Sequence, residues 1–238
     1  MGKSYFDSHP QTVSNDEALE KIYKNTFVKL DDEIGGAMKG FDRTAKILEI
    51  WYWSGTFASY CYNKWFTNYV WVDLDDSFAE HNKNKFPNYN FLQWDINNFL
   101  SNWDKYDIIF MAHVFEHLNK DQADETVKLI YKSLNEWWVW INYMPNADSL
   151  RAPTLRYNDI THKTIYNANS FLQIILSNDI NYSQINNKNT IAAVSKISRT
   201  MFKIIHPIFV LLTIIYYLWM WVMFPKIYSS EMLTIMKK

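Results

Sequence analysis

Short runs of wholly apolar residues alternate along this chain with amphipathic ones. "AKILEI" (45–50) has the pattern of a buried strand, and "TFASYCYNK" (56–64) follows it with helical spacing. "NYVWVDLD" (68–75) predicts a second strand and "SFAEHNKNKF" (77–86) a second helix. "YNFLQWDI" (89–96) predicts a third strand. "YDIIFMAHV" (106–114) predicts a fourth, apolar on both faces as a central parallel strand is. "KDQADETVKLIYKSL" (120–134) carries Ala123, Val127, Ile130 and Leu134 as one helical stripe, and "VWINYMP" (139–145) predicts a fifth strand. Residues 16–40 predict a helical lead-in that breaks at Gly35-Gly36. This alternation predicts an α/β fold, a doubly wound, Rossmann-like and mostly parallel sheet with helices on both faces. In such sheets ligands bind at the carboxyl ends of the strands.

The 238 residues suit one large domain, and a hydrophobic content of 48% is ample for a core. The net charge of −1 gives no sign of a nucleic-acid partner. The single cysteine, Cys61, excludes an internal disulfide. With no visible signal peptide it points to a reducing, cytoplasmic setting. Met1-Gly2 does not open the usual myristoylation pattern, because position 6 is Phe6. One count is unusual: 5 glycines stand beside 11 tryptophans. A typical chain of this length has roughly 17 glycines.

The residues at the strand ends carry the chemistry. "ILEIWYWSG" (47–55), "VWVDLD" (70–75), "FLQWDI" (91–96), "HVFEHL" (113–118) and "SLNEWWVWINYMPNADS" (133–149) resemble, in order, the motifs of the class I methyltransferases that use S-adenosyl-L-methionine (SAM). "RYNDITHKTIYNANSF" (156–171) resembles a segment of a subgroup that acts on glycans and small molecules. The resemblance implies SAM as cofactor, held by Glu49, Trp51, Trp53, Gly55, Asp73, Asp95 and Ile96. It places Asp73 on the ribose hydroxyls and Asp95 with Ile96 at the adenine. It makes Asp75 and Asp76 helix caps. It further implies O-methylation of a small-molecule or glycan-linked acceptor, with His162 and His117 as candidate bases. Glu116, Arg156 and Asp159 would contact the acceptor, with Arg151 nearby.

The departures from the family pattern share one direction. Trp51, Trp53, Trp65, Trp71, Trp94, Trp137 and Trp138 stand where the pattern prefers glycine; Trp103 and Trp140 sit where an aromatic would also do, and Trp219 and Trp221 lie in an apolar stretch that assigns them neither way. Some bacteria read the UGA codon as glycine and other codes read it as tryptophan, so the expectation is a sequence translated with the wrong code. If the tryptophans are real, the alternative is a methyltransferase-like binding or scaffold protein without SAM activity. "HVFEH" also fits the H-x-x-E-H pattern of zinc hydrolases. His113 sits at a strand end there, off any helix shared with His117, and no metal is expected.

The domain reading is a helical lead-in over 1–44 and a SAM-binding core over 45–200 with an acceptor-site loop at 146–170. A hydrophobic helical insertion follows over 201–225, then a final strand over 226–238, expected to be antiparallel. The stretch 208–224 holds 17 residues without a charge, between Lys203 and Lys226. That is the lower edge of a membrane span. The preferred reading is a helix that packs on the domain or rests on a membrane surface.

Overall fold

The computed structural model describes residues 16–51, 55–74, 79–101, 104–190, 196–220, 225 and 227–238. Trp53, Asp75, Asp76, Trp103, Trp221 and Lys226 lie outside the described residues, as does the N-terminal segment with Met1-Gly2. Among those described, the elements run α1 (Asp16–Met38), β1 (Ile47–Ile50), α2 (Thr56–Asn63), β2 (Tyr69–Asp73), α3 (Ala79–Lys85), β3 (Asn90–Gln93), α4 (Ile96–Leu100), β4 (Tyr106–Ala112) and a 3-10 turn (Phe115–His117). They continue with α5 (Lys120–Lys132), β5 (Leu134–Pro145), α6 (Ala152–Tyr157), α7 (Ala168–Ser177), β6 (Gln184–Asn189), α8 (Lys196–Trp219) and β7 (Glu231–Lys237).

The strands form one sheet in the order β3-β2-β1-β4-β5-β7-β6. The first five are mutually parallel, and β7 runs antiparallel to both β5 and β6. This is the doubly wound α/β architecture expected, with β4 in the interior and the last strand reversed. Order reverses between β1 and β4, which opens a crevice at their carboxyl ends.

Strand alternation sends side chains to two cores. On one face Leu48, Ile50, Ile109 and Met111 pack with Val127 and Ile130 of α5 and with Phe171 and Ile175 of α7. On the other, Ile47, Trp71, Ile108 and Phe110 pack with Leu30 and Ile34 of α1 and with Phe57 of α2. Phe57 stacks on Phe110 with ring centroids 3.8 Å apart. Packing of Ile34, Ala37 and Met38 carries α1 through Gly35-Gly36, where a break was expected.

Three other boundaries differ from the sequence reading. β3 stops at Gln93, because Asp95 caps α4 by accepting from the Asn98 N–H (3.1 Å), so Ile96 is helical. Leu134 pairs with Tyr106 in the sheet and does not extend the α5 stripe. Between the Leu134–Tyr106 and Val139–Ile108 pairs, residues 135–138 stand opposite Asp107 alone. Trp137 and Trp138 therefore sit in a bulge within β5, with Trp137 exposed and Trp138 buried against Tyr131. No helix among the described residues is long and apolar enough to cross a membrane.

Candidate functional site

A cavity of about 470 Å³ opens at the carboxyl ends of β1 and β4. Its lining includes Glu49, Trp51, Thr56, His113, Glu116, His117, Asp159 and His162, with Lys29 of α1 and Glu231 of β7.

One half is built from the ends of β1 and β2. The Trp51 N–H donates to the Val72 carbonyl (2.9 Å), and the Trp94 N–H donates to the Asp73 carbonyl (2.8 Å). The 51–55 turn, Asp73 and Asp95 therefore converge at neighbouring strand ends. Glu49 and Asp73 are both buried. Burial, together with the Asp73 charge, pushes the Glu49 carboxyl from its ordinary value of 4.5 up to about 8, although the Tyr69 hydroxyl donates to it. The turn itself is left-handed at both ends of what is described: Trp51 has φ +59° and Gly55 φ +70°. At Gly55 a Cβ would meet the Trp71 ring at 3.1 Å and Asn82 Oδ1 at 3.0 Å, so this position needs glycine for space as well as for its dihedral. Trp51 has no such exemption; its indole lies against the His117 ring, 4.5 Å between centroids.

The other half is built after β4. His113 also has φ +59°, and this turn aims its ring at two carboxylates. Nδ1 lies 3.0 Å from Glu116 Oε1 and Nε2 lies 2.8 Å from Glu231 Oε1. The side chain is half exposed; partial desolvation would lower its pKa, but the two carboxylates win and push it up to about 10. Glu231, despite burial, is pulled down to about 2 by His113 and Lys29, whose Nζ lies 3.0 Å away. His113 is thus a positively charged bridge. It shares no helix with His117, so the zinc-hydrolase arrangement is not formed.

His117 and His162 meet in a T-shaped contact, 4.8 Å between centroids. Their separation is set by backbone: the N–H groups of Lys163 and Thr164 donate to the Glu116 carbonyl at 2.7 and 3.2 Å. Asp159 Oδ1 accepts from the Thr161 N–H and hydroxyl, at 2.8 and 2.7 Å. Burial is the main reason that the His117 pKa is lowered.

The structure thus gathers Glu49, Trp51, Glu116, His117, Asp159 and His162 in one cavity; Asp73 lies buried at the end of β2, Gly55 precedes α2 and Asp95 caps α4, none of them among its lining. Ile96 packs against the adjoining core. Arg156 does not join them: its Nη2 donates to the Lys163 carbonyl (2.8 Å) at the surface, where it braces the loop. Arg151 is exposed at the start of α6. Sequence reasoning missed Lys29, His113 and Glu231 as a linked set. His113 and Glu231 are 118 positions apart, and only the pairing of β7 with β5 brings them together.

Comparison with known proteins agrees with this architecture. Residues 54–136 match a family model described as a methyltransferase domain. No curated protein matches the chain in sequence. Among solved structures, a SAM-dependent methyltransferase from Archaeoglobus fulgidus is similar, with TM-score 0.62, 17% identity, and coverage of 93% of this chain and 99% of that one. A SAM-dependent methyltransferase from Thermotoga maritima, described as a possible histamine N-methyltransferase, gives TM-score 0.58, 11% identity and 93% coverage of each chain. The 1,6-didemethyltoxoflavin-N1-methyltransferase of Burkholderia thailandensis, solved with S-adenosylhomocysteine, gives 0.58 and 10%, covering 99% of this chain and 84% of that one. The fold is that of the SAM-dependent methyltransferases.

Proposed function

We propose that this chain, with the methyltransferase fold as its frame, is a SAM-dependent methyltransferase acting on a hydroxyl of a small-molecule or glycan-linked acceptor. The observation that carries this reading is that the left-handed Trp51 follows β1 beside two buried carboxylates, Glu49 and Asp73, at adjacent strand ends. A carboxylate at the end of β2 can accept from both hydroxyls of a ribose. Glu49, at the end of β1, suits an amino end. Its raised pKa means that an ammonium group arriving beside it displaces a proton. When bound, SAM supplies an electrophilic methyl group on a sulfonium. Asp95 and Ile96 are assigned to the adenine, with Asp95 keeping its capping bond.

The acceptor belongs at the His117–His162 end. His162 Nδ1 lies 2.7 Å from the Leu155 carbonyl, so the ring N–H points there and Nε2 carries the lone pair. A lone pair at that place can take the acceptor's proton, and alignment of the two reactants does much of the rest. Glu116 and Asp159 border the acceptor.

One group does not fit. The Trp51 indole stands where bare backbone would meet the ligand. Among the described residues, Trp51 and Trp65, both left-handed, are the two suspect positions whose dihedrals ask for glycine. Trp71, by contrast, is wholly buried in the core, and its removal would leave a large cavity. A membrane-surface contact of the 204–224 region is also proposed, since α8 exposes Ile204, Ile208, Leu212 and Leu218.

Calorimetric titration with SAM tests the reading. The chain as written should bind weakly or not at all, and Trp51→Gly with Trp53→Gly should bind. Adding Asp73→Ala should then cost about 1–3 kcal/mol. Tight binding by the chain as written would overturn the glycine argument, and no binding by the glycine variant would favour a scaffold protein instead.

A further inference from the structure

Glu116, His117 and His162 offer ligand atoms that all lie within 4.8 Å of one another. Three partnerships prime these atoms. His162 gives its Nδ1–H to the Leu155 carbonyl, which leaves Nε2 with the lone pair. Thr161 Oγ1 lies 2.8 Å from His117 Nδ1 and 2.7 Å from Asp159 Oδ1. The hydroxyl has one hydrogen and gives it to the carboxylate, so it accepts from His117 Nδ1–H, and the lone pair of that ring is also on Nε2. Glu116 is wholly buried; Oε1 is engaged by His113, while Oε2 has no hydrogen-bond partner among the described residues. A buried carboxylate oxygen without a donor is a costly arrangement unless something positive meets it.

We propose that Glu116, His117 and His162 form a binding site for a divalent transition-metal cation in the acceptor half of the cavity. Two imidazoles and one carboxylate suit a borderline ion such as zinc, cobalt or nickel better than magnesium or calcium. Ligand atoms about 2.1 Å from one tetrahedral ion stand roughly 3.4 Å apart, so a pair separated by 4.8 Å must close by about 1.4 Å through side-chain rotation. Each imidazole is oriented by an acceptor on its other nitrogen, the arrangement that metal-binding histidines commonly show. Asp159 Oδ2, 3.8 Å from His162 Nε2, provides a further oxygen at the rim. Three protein ligands leave coordination positions open for the acceptor.

The expectation of no metal considered His113 with His117; the geometry pairs His117 with His162. The same Nε2 lone pair cannot serve as both ligand and base. Were an ion bound, both imidazoles would be its ligands, the base role of His162 would lapse, and the ion would supply Lewis-acid lowering of the acceptor hydroxyl's pKa, the proton passing to solvent. That role rests on the methyltransferase reading, whereas the cation site does not.

The test is a cobalt titration of the full chain after dialysis against a chelator, followed by visible absorbance and by thermal denaturation, with no SAM or acceptor present. One saturating equivalent is expected, with a rise in Tm. Glu116→Gln and His162→Ala should each weaken binding about tenfold or more, and the rise in Tm should vanish in the His117→Ala/His162→Ala double variant. Absence of saturable binding by the unmutated chain overturns the proposal, even if a variant fails to fold. So does unchanged affinity in Glu116→Gln. Because no cofactor is used, failure of the SAM reading leaves either result standing.

Discussion

Trp65 closes α2 in a way that usually calls for glycine. The Phe66 N–H donates to the Cys61 carbonyl (3.1 Å) and the Trp65 N–H to the Tyr62 carbonyl (3.0 Å), the paired bonds of a Schellman ending. Its left-handed residue, φ +66°, is a tryptophan that remains 68% exposed. A left-handed non-glycine residue costs about 1–2 kcal/mol, against which glycine loses more entropy on folding. Trp65→Gly should therefore stabilise the protein by about 0.5–1 kcal/mol in urea unfolding, and a loss of stability would count against a glycine position. On the same account the codons at 51 and 65 are UGA. Glu49 gives a second residue-scale expectation. Its folded pKa is raised, so its contribution is fully present below about 4.5 and is lost as pH rises through about 8. Glu49→Gln should be the more stable protein at high pH. Its advantage should grow by about 1.4 kcal/mol per pH unit between those limits and stay flat outside them. A pH-independent difference in unfolding free energy would contradict the burial of an ionisable carboxyl there.

Elements whose sequence alone fixes their surroundings were legible. β1, β2 and β4 are wholly or nearly buried, so their apolar runs identified them, and the Asn119 capping box marks where α5 begins. β6 was not legible. "QINNKN" is a polar edge strand, and only its pairing with β7 makes it one. α6 and the first turn of α7 lie in the stretch 146–170 read as the acceptor loop, because attention there fell on its polar residues. At the site, the strand-end acids were legible from their place after apolar runs. The Lys29–Glu231–His113–Glu116 chain was not, since two of its three links are long-range contacts to Glu231. The exposed apolar surface of α8 belongs to this scale too. Leu212 is 60% exposed and Leu218 69% exposed, while Tyr217 ties the helix to the core through the Asp148 carbonyl (2.8 Å). Co-sedimentation with phospholipid vesicles should be measurable, and Ile208→Asp with Leu212→Asp should abolish it without loss of fold. Equal sedimentation of the two proteins would remove membrane contact from the account.

At the scale of the molecule, one sheet gathers residues from α1 to β7 around a single opening. The first five strands point their carboxyl ends at it. The reversed β7 begins there and delivers Glu231 beside His113. On the proposed reading, that arrangement lets one cavity hold cofactor and acceptor side by side, with Trp51 in its lining. Its central claim is about where a ligand lies. A crystal structure of the Trp51→Gly/Trp53→Gly protein with S-adenosylhomocysteine tests it most directly. The account predicts the ribose hydroxyls on Asp73, the amino end by Glu49 and the turn, and the sulfur facing His117 and His162. Ligand bound elsewhere, or an empty crevice between β1 and β4 at saturating ligand, would contradict it.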